Sequence, residues 1–289
     1  MRRAPLTIER YREALGWVIR DVGDLPLSRL NVAHVLSVRR NMDQRRCGEA
    51  RVAAVLNALR AFLRFCREVL RVATLDPREI RVPRIPRRDV LFLTRDEVER
   101  FLDAIIRPGE RWEEVPLARL RFRALVEVLL GTGARVSEVL GLDRRDVDFQ
   151  RMEAKIVGKG NKQRVLFFTD RALEWLGRYL SRRRDDEGPL FVTRGDRPRR
   201  LSYDAVKNAF KRVTQRAHPT KKVTAHVLRH TMATTLLLNG CPIGHIKELL
   251  GHERLDTTCR YYLGVDVRAV KGAHRKFLRY EEENAGEDL

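Results

Sequence analysis

The stretch "DVDFQRMEAKIVGKGNKQRVLFFT", residues 146–169, interrupts a sequence that otherwise has the pattern of helices. On either side of it, apolar residues recur every three or four positions, the period of an amphipathic helix. Inside it, two short apolar runs, 153–157 and 164–168, flank the turn "GKGNKQ". Glycine-containing turns between such runs are typical of β-hairpins. The sequence therefore predicts a mainly α-helical protein with one small β-hairpin or sheet.

The region before the hairpin contains a helical segment rich in arginine. Residues 7–83 are predicted to be almost entirely helical, with Thr7 as the first N-cap. In "GEARVAAVLNALRAFLRFCREVLRV", residues 48–72, apolar side chains share one helical face. The other face carries most of the arginines, namely Arg51, Arg60, Arg64 and Arg67. We predict a small helical bundle with a basic exterior.

A proline- and arginine-rich segment, "RVPRIPRRDV" at 81–90, separates this bundle from the rest of the chain. Its prolines oppose helix, and its four arginines oppose burial. The next helix is predicted to begin with a capping box formed by Thr94 and Glu97. The predicted boundaries are a first domain at 1–83, a linker at 84–90, a mixed α+β second domain at 91–280, and an acidic, disordered tail at 281–289.

The net charge points to a polyanionic partner. The 59 Lys and Arg residues exceed the 39 Asp and Glu residues, which gives a formal charge of +20 at pH 7. Residues 1–90 hold 20 arginines and 10 acidic residues, so this part and the remainder each carry +10. Because binding to phosphates releases counterions, such an excess favours nucleic acid as partner. The alternative is a generally basic protein without such a partner.

Cysteine usage and hydropathy predict a soluble, cytoplasmic protein. Cys47, Cys66, Cys241 and Cys259 form no C-x-x-C pair, so neither a disulfide framework nor a zinc cluster is indicated. No apolar run has the length of a membrane span, and the N-terminus lacks the apolar core of a signal peptide.

Two stretches in and before the hairpin could bind an anion. In "GTGARVSEVLGL", residues 131–142, Arg135 stands at a helix start, where its guanidinium and the backbone amides could hold an anion. Glu138 could orient Arg135. Lys159 lies at the hairpin tip, with Lys162 and Arg164 nearby. The alternatives are a surface arginine beside a tight turn and a solvated basic turn.

A third stretch, "TAHVLRHTMATTLLLNG" at 224–240, begins with Thr224 as a predicted helix cap. His226 and Arg229 are three residues apart and share one helical face, on which His230 also lies. A zinc site is disfavoured, because H-E-x-x-H requires a glutamate where Val227 stands. We interpret His226 and Arg229 as a phosphate clamp.

The fourth and fifth stretches lie within "LLGHERLDTTCRYYLGV", residues 249–265. Gly251 is predicted to end a helix, which leaves His252 on the following turn. Tyr261 and Tyr262 follow on a predicted short helix, where neighbouring side chains diverge by about 100°. One tyrosine could therefore face a site while the other packs.

In this order, the five stretches resemble the tyrosine recombinase, or phage integrase, family. The family pattern is an arginine in a G-x-R-x-S-E-like turn, a hairpin lysine, H-x-x-R, then G-H and a tyrosine nine residues later. This sequence supplies Arg135, Lys159, His226 with Arg229, His252 and Tyr261. It departs from the pattern at Ala225, where a proline is common.

The resemblance implies a fold, a reaction and roles for these residues. The first domain would be a SAM-like core-site-binding domain, and the second a catalytic domain of the DNA breaking-rejoining type. Tyr261 would attack a DNA phosphodiester and form a 3′-phosphotyrosine, with Tyr262 as the alternative nucleophile. Arg135 and Arg229 would stabilise the charge, and Glu138 would support Arg135. Lys159 would protonate the 5′-oxygen, His226 would handle the tyrosine proton, and His252 would hydrogen-bond the phosphate or the tyrosine oxygen. Neither a metal nor another cofactor would be needed.

The resemblance also implies partners. These are double-stranded DNA with specific recombination sites and a homo-tetramer on that DNA from subunits that are monomeric or weakly associated when free. A second recombinase or an accessory protein is a further possible partner, and association with the nucleoid is expected if the host is bacterial. The helix expected at 267–280 would dock on a neighbouring subunit or on its own domain. The early start of the first domain favours an Xer-like or transposon-type enzyme without an arm-site domain. The candidate DNA contacts are Arg51, Arg60, Arg64, Arg67, Arg84, Arg87, Lys162 and Arg164.

Two other functions fit parts of this pattern. A topoisomerase-like enzyme would use the same chemistry to relax one duplex, but the helical first domain and the small size favour a recombinase. A catalytically silent architectural or regulatory DNA-binding protein is disfavoured by the complete set of reactive residues.

Overall fold

The structure is a computed structural model that describes residues 5–85, 90–157, 163–217 and 220–251. The chain divides into two compact units, Met1–Arg88 and Asp89–Leu289. The division falls inside the segment predicted to link two domains. Across the described ranges, no helix is both long and apolar enough to span a lipid bilayer.

The first unit is a helical bundle around one hydrophobic core. Val38, Met42 and Leu63 are completely buried in it, because each lies on the apolar face of its helix. Asn31 caps the second helix by accepting a hydrogen bond from the backbone N–H of His34. The α-helices of this unit are α1 (Pro5–Val22), α2 (Val32–Gln44) and α3 (Glu49–Glu68), with 3-10 turns at Leu27–Arg29 and Pro77–Glu79.

Two predictions for this unit were wrong. Helix α1 begins at Pro5, so Thr7 lies inside the helix and does not cap it. The prediction of nearly continuous helix to residue 83 fails after Glu68, where α3 ends. Arg71 adopts a positive φ of 56°, which is incompatible with a right-handed helix. Asp76 precedes Pro77 and is extended, as residues before proline prefer.

The second unit is built around a buried central helix, α5. Most of its side chains are inaccessible, including Leu125 and Leu129 at 0% exposure, because it packs against α7 and α9. The capping box of Thr94 and Glu97 at the start of α4 is confirmed. The helices are α4 (Arg95–Asp103), α5 (Leu117–Thr132), α6 (Val136–Gly141), α7 (Asp170–Ser181), α8 (Tyr203–Ala217), α9 (Ala225–Leu238) and α10 (Ile243–Leu250), with a 3-10 turn at Arg144–Asp146.

A three-stranded antiparallel sheet occupies the position of the predicted hairpin. Its strands are β1 (Val147–Asp148), β2 (Glu153–Val157) and β3 (Gln163–Phe167), in the order β1-β2-β3. The prediction for β2 is confirmed, and β3 lies one residue earlier than predicted. Ala154 pairs with Leu166 and Ile156 with Arg164. Because opposed residues of an antiparallel pair lie on the same face, Arg164 shares the buried face of Ala154, Ile156 and Leu166.

Candidate active site

The turn between α5 and α6 positions Arg135. Gly133 ends α5 in the left-handed conformation, with φ of 59°, and the chain then reverses into α6. Arg135 occupies the N-cap position of α6, and its backbone N–H donates to Glu138 Oε2 at 2.7 Å. Its Nη1 donates to Oε1 of the same carboxylate at 2.8 Å. The guanidinium is thus oriented by Glu138 while 45% of its side chain stays exposed.

Arg229 joins three separate parts of the chain. It lies on α9, which begins after Thr224; as predicted, Thr224 caps the helix by accepting from the N–H of Val227. Arg229 is only 3% exposed. Its Nη1 donates to the carbonyl of Gly133 at 2.8 Å, and its Nη2 donates to the carbonyl of Leu250 at 2.6 Å. The turn before Arg135 and the end of α10 therefore meet at Arg229.

His226 lies near both arginines at the start of α9. Its pKa is lowered by desolvation of the partly covered ring and by the positive charges of Arg229 and Arg135. The ring also makes an edge contact with His230, with 4.3 Å between the centroids. Because the lowered pKa favours the neutral imidazole at pH 7, His226 can accept a proton.

The end of helix α10 lies at this site, because the carbonyl of Leu250 accepts a hydrogen bond from Arg229. Gly251 ends it in the left-handed conformation, with φ of 61°, which confirms the predicted C-cap. A Cβ atom at Gly251 would lie 2.8 Å from both Cδ and Nε of Arg164. Both the positive φ and the close approach of Arg164 therefore favour glycine at this position. The next residue in the sequence is His252.

Arg164 has two hydrogen bonds to the surrounding site. Its Nη2 donates to Glu138 Oε2 at 2.6 Å, and its Nη1 donates to the carbonyl of Leu249 at 2.5 Å. Its side chain is 14% exposed. The sequence led us to interpret Arg164 as a DNA contact; the alternation of side chains along β3, which pairs it with buried Leu166, was the signal for an inward position.

Several predicted residues lie outside the described ranges and stay predictions. These are Lys159 and Lys162 of the hairpin turn, Arg87 of the linker, His252, Tyr261 and Tyr262, together with the helix expected at 267–280. The structure therefore brings together Arg135, Glu138, His226 and Arg229, with Arg164 as a neighbour that the sequence did not place there.

The candidate DNA contacts of the first unit fall into two groups. Arg51, Arg64 and Arg84 are exposed. Arg60 donates from Nε to the carbonyl of Pro77 at 3.2 Å, and Arg67 pairs with Asp76 at 3.2 Å. Arg60 and Arg67 thus contact the segment that follows α3, although 42% of the Arg67 side chain stays exposed.

Comparison with known proteins identifies the family. Residues 91–268 match the phage integrase family. The chain is 34% identical over 247 residues to the tyrosine recombinase XerC of Vibrio vulnificus, which covers 81% of this chain and 74% of that protein. It is also 37% identical over 232 residues to the tyrosine recombinase XerD of Mycobacterium tuberculosis, covering 77% and 73% of the two chains.

Solved structures show the same fold at lower identity. The Tn1549 transposon integrase in complex with transposon right end DNA has a TM-score of 0.77 and 16% identity, over 96% of this chain and 95% of that one. A lambda integrase tetramer bound to a Holliday junction has a TM-score of 0.71 and 16% identity, over 90% and 72%. By the family match and the identity to XerC and XerD, the chain belongs to the phage integrase family and is a tyrosine recombinase.

Proposed function

We propose that this tyrosine recombinase cleaves and rejoins DNA at specific sites through a phosphodiester bond between Tyr261 and the DNA 3′ end. The observation that carries the proposal is the convergence at Arg229. Its guanidinium bridges the turn before Arg135 and the carbonyl of Leu250, two residues before His252. Two permanently charged groups are thereby held where a phosphate could bind.

The proposed reaction exchanges one phosphodiester for another. The Tyr261 oxygen forms a bond to phosphorus while the bond from phosphorus to the 5′-oxygen breaks. A phenol has a pKa of about 10, so its proton must leave as it attacks, and neutral His226 is the acceptor. Lys159 gives a proton to the departing 5′-oxygen. Since the ester keeps the energy of the broken bond, a second strand can be joined without ATP.

The arginines supply the charge that this transition state needs. Negative charge gathers on the non-bridging oxygens, and preorganised guanidiniums stabilise it more than they stabilise the ground state. Arg229 is rigid because both terminal nitrogens are anchored on backbone carbonyls. Arg135 is anchored on one side by Glu138 and open on the other. We assign to His252 a hydrogen bond to the phosphate or to the tyrosine oxygen.

We infer that the working form is a homo-tetramer on two DNA sites. The lambda integrase neighbour is described as a tetramer on a Holliday junction, and the Tn1549 neighbour as a complex with DNA. The net charge of +20 supports DNA binding. In this proposal residues 1–83 form the core-site domain, with Arg51 and Arg64 toward the phosphates. Residues 84–90, which include Arg84 as a further phosphate contact, link it to the catalytic domain. A bacterial host would place the protein at the nucleoid.

A two-part assay tests this function. The bound sequence is first identified by selection from random duplexes and footprinting, and is then placed on plasmids in one or two copies. We expect two-site plasmids to recombine in the presence of EDTA and without ATP. Relaxation of one-site plasmids without exchange would instead support the topoisomerase-like alternative. Specific binding without any strand cleavage would support the architectural one.

We also expect a defined pH dependence of cleavage. If neutral His226 accepts the tyrosine proton, the second-order rate of covalent attachment is constant near pH 7–8. It falls as His226 becomes protonated, with a midpoint below the ordinary histidine pKa of about 6.5, because partial desolvation and the two arginines lower the pKa of His226. The rate is measured by quenching the reaction with a nicked duplex at a series of times, at pH values between 5 and 8, and quantifying the covalent complex.

The matching variant is His226→Gln, which keeps a polar side chain but cannot accept a proton at neutral pH. We expect its rate to fall on the order of 10²-fold and to lose the acid limb. An acid limb that persists unchanged in His226→Gln would assign the proton transfer to another group.

A further inference from the structure

Arg164 sits on the buried side of the sheet, next to the predicted catalytic residues. It is the second residue of β3 and faces Ile156 across the β2–β3 pair. Its neighbour along the same face is Leu166, which is 1% exposed. Arginine on a buried sheet face must find acceptors, because an unpaired buried charge is costly. The role of Arg164 can therefore be inferred from the groups that accept its hydrogen bonds.

The first acceptor is the carboxylate that orients Arg135. Glu138 Oε2 receives both the backbone N–H of Arg135 and Nη2 of Arg164, while Oε1 receives Nη1 of Arg135. A lone ion pair between exposed side chains is weak, because it is screened and loses side-chain entropy. Arg164 is different, because its side chain is only 14% exposed and it donates to the same oxygen, Oε2, that accepts from the backbone N–H of Arg135. Arg164 thus limits the movement available to Glu138 and, through it, to Arg135.

The ionisation of Glu138 agrees with this arrangement. Desolvation alone would raise its pKa, but the backbone N–H of Arg135 and the charges of Arg164 and Arg135 outweigh it and lower the pKa. The carboxylate is therefore negative at neutral pH and able to hold both guanidiniums.

The second acceptor is the end of α10. The last carbonyls of a helix lack partners within the helix and attract cations. Here two adjacent carbonyls are taken by two arginines from different elements: Leu249 by Arg164 and Leu250 by Arg229. Gly251 packs directly on Cδ and Nε of Arg164, and the chain continues to His252. Arg164 and Arg229 together fix the point from which the chain leaves toward His252 and Tyr261.

We propose that Arg164 is a positioning residue that ties strand β3, the carboxylate that orients Arg135, and the end of α10 into one unit, without touching DNA itself. In the sequence it lies five residues after Lys159. The inference rests on the proposed function, because its effect is exerted on the cleavage residues. It replaces our interpretation of Arg164 as a phosphate contact.

The two roles predict different results for Arg164→Met, which removes the guanidinium and keeps an apolar stem. Loss of one phosphate contact would lower the slope of log K against log salt by about 0.9 for duplex DNA. We expect the affinity and this slope to stay unchanged. We expect the rate of covalent attachment at saturating protein to fall on the order of 10- to 100-fold, as misplaced catalytic groups do. A nicked duplex with the selected sequence is the probe.

Arg151→Met is the matched control for charge. Arg151 is also in the sheet region, but its side chain is 74% exposed and its nearest carboxylate, Asp148, is 3.9 Å away. We expect wild-type attachment for this variant. If Arg164→Met instead lowers affinity and salt slope while cleavage at saturation is unchanged, Arg164 is a DNA contact and the proposal is overturned.

A double-mutant cycle with Glu138→Gln separates positioning from a general effect on folding. If Arg164 acts through Glu138, the combined loss in rate is smaller than the product of the two single losses. A combined loss in the double variant equal to the product of the two single losses would show that Arg164 does not act through Glu138. Thermal unfolding is measured for each variant, so that the cycle uses folded protein.

Gly251→Ala is expected to displace the Arg164 side chain without removing it. This variant tests the positioning role of Arg164 if Arg164→Met does not fold. Gly109→Ala is the matched control, because Gly109 also has a positive φ, 79°, but a Cβ there would meet nothing within 4 Å. We expect slower attachment in Gly251→Ala than in Gly109→Ala; equal rates would overturn the proposal. Wild-type protein that forms no covalent complex would instead refute the proposed function, a result distinct from all of these.

Discussion

Tyr261→Phe is expected to abolish covalent attachment to a nicked duplex, whereas Tyr262→Phe is expected to retain it. The phenyl ring of phenylalanine has no oxygen, so no ester can form, and the loss is complete and not merely large. The spacing of nine residues from His252 selects Tyr261, and the neighbouring tyrosine is the matched control. Attachment is measured by denaturing gel electrophoresis of labelled DNA.

Both tyrosine variants should bind the duplex like wild type, which a native gel shift checks. Attachment that survives in Tyr261→Phe and disappears in Tyr262→Phe would mean that the adjacent hydroxyl reacts. Attachment that survives in both single variants would require another nucleophile.

Arg229→Lys is expected to cause the second-largest loss, in both rate and stability. The Arg229 guanidinium spans from the carbonyl of Gly133 to that of Leu250 and is 3% exposed. A lysine ammonium is a point charge that cannot reproduce this fork, so a buried carbonyl loses its partner. We expect cleavage to fall on the order of 10²- to 10³-fold. We expect the free energy of unfolding to fall by about 2–3 kcal/mol.

Arg135→Lys is the matched comparison. Its side chain is 45% exposed, and among the residues that the structure describes it hydrogen-bonds only Glu138 of its own turn, so its loss should leave the free energy of unfolding nearly unchanged. Cleavage should still drop strongly while DNA binding is retained. Chemical denaturation and single-turnover trapping measure the two effects. Equal destabilisation by both variants would contradict the anchoring role of Arg229, and loss of DNA binding in Arg135→Lys would make Arg135 an anchor for DNA.

Much of the fold follows from local patterns in the sequence. Helical periodicity, the capping side chains of Thr94 and Thr224, and the glycine at position 251 predicted elements and ends correctly, because each acts through its nearest turn. Strand β1 was missed because a two-residue strand has no period. The segment after α3 was wrongly predicted as helix because its end depends on Arg71 in a left-handed conformation, which composition does not signal.

The candidate site was only partly predictable. Motif spacing selected Arg135, His226 and Arg229 as candidates, since those side chains define the motifs. It could not identify their acceptors: Gly133 and Leu250 bind Arg229 through backbone carbonyls, which every residue has. The same applies to Arg164, whose partners are 26 and 85 residues away along the chain. The one sequence signal for its inward position is that Arg164 and Leu166 are two residues apart on β3 and so lie on the same face of the sheet.

The most direct test locates the bond itself. Protein trapped on the nicked duplex is digested with nuclease and protease, and the modified peptide is sequenced by mass spectrometry. We predict a nucleotide joined through its 3′-phosphate to Tyr261, with a free 5′-hydroxyl on the released strand. A nucleotide on Tyr262 or on a serine, or a linkage through a 5′-phosphate, would contradict this.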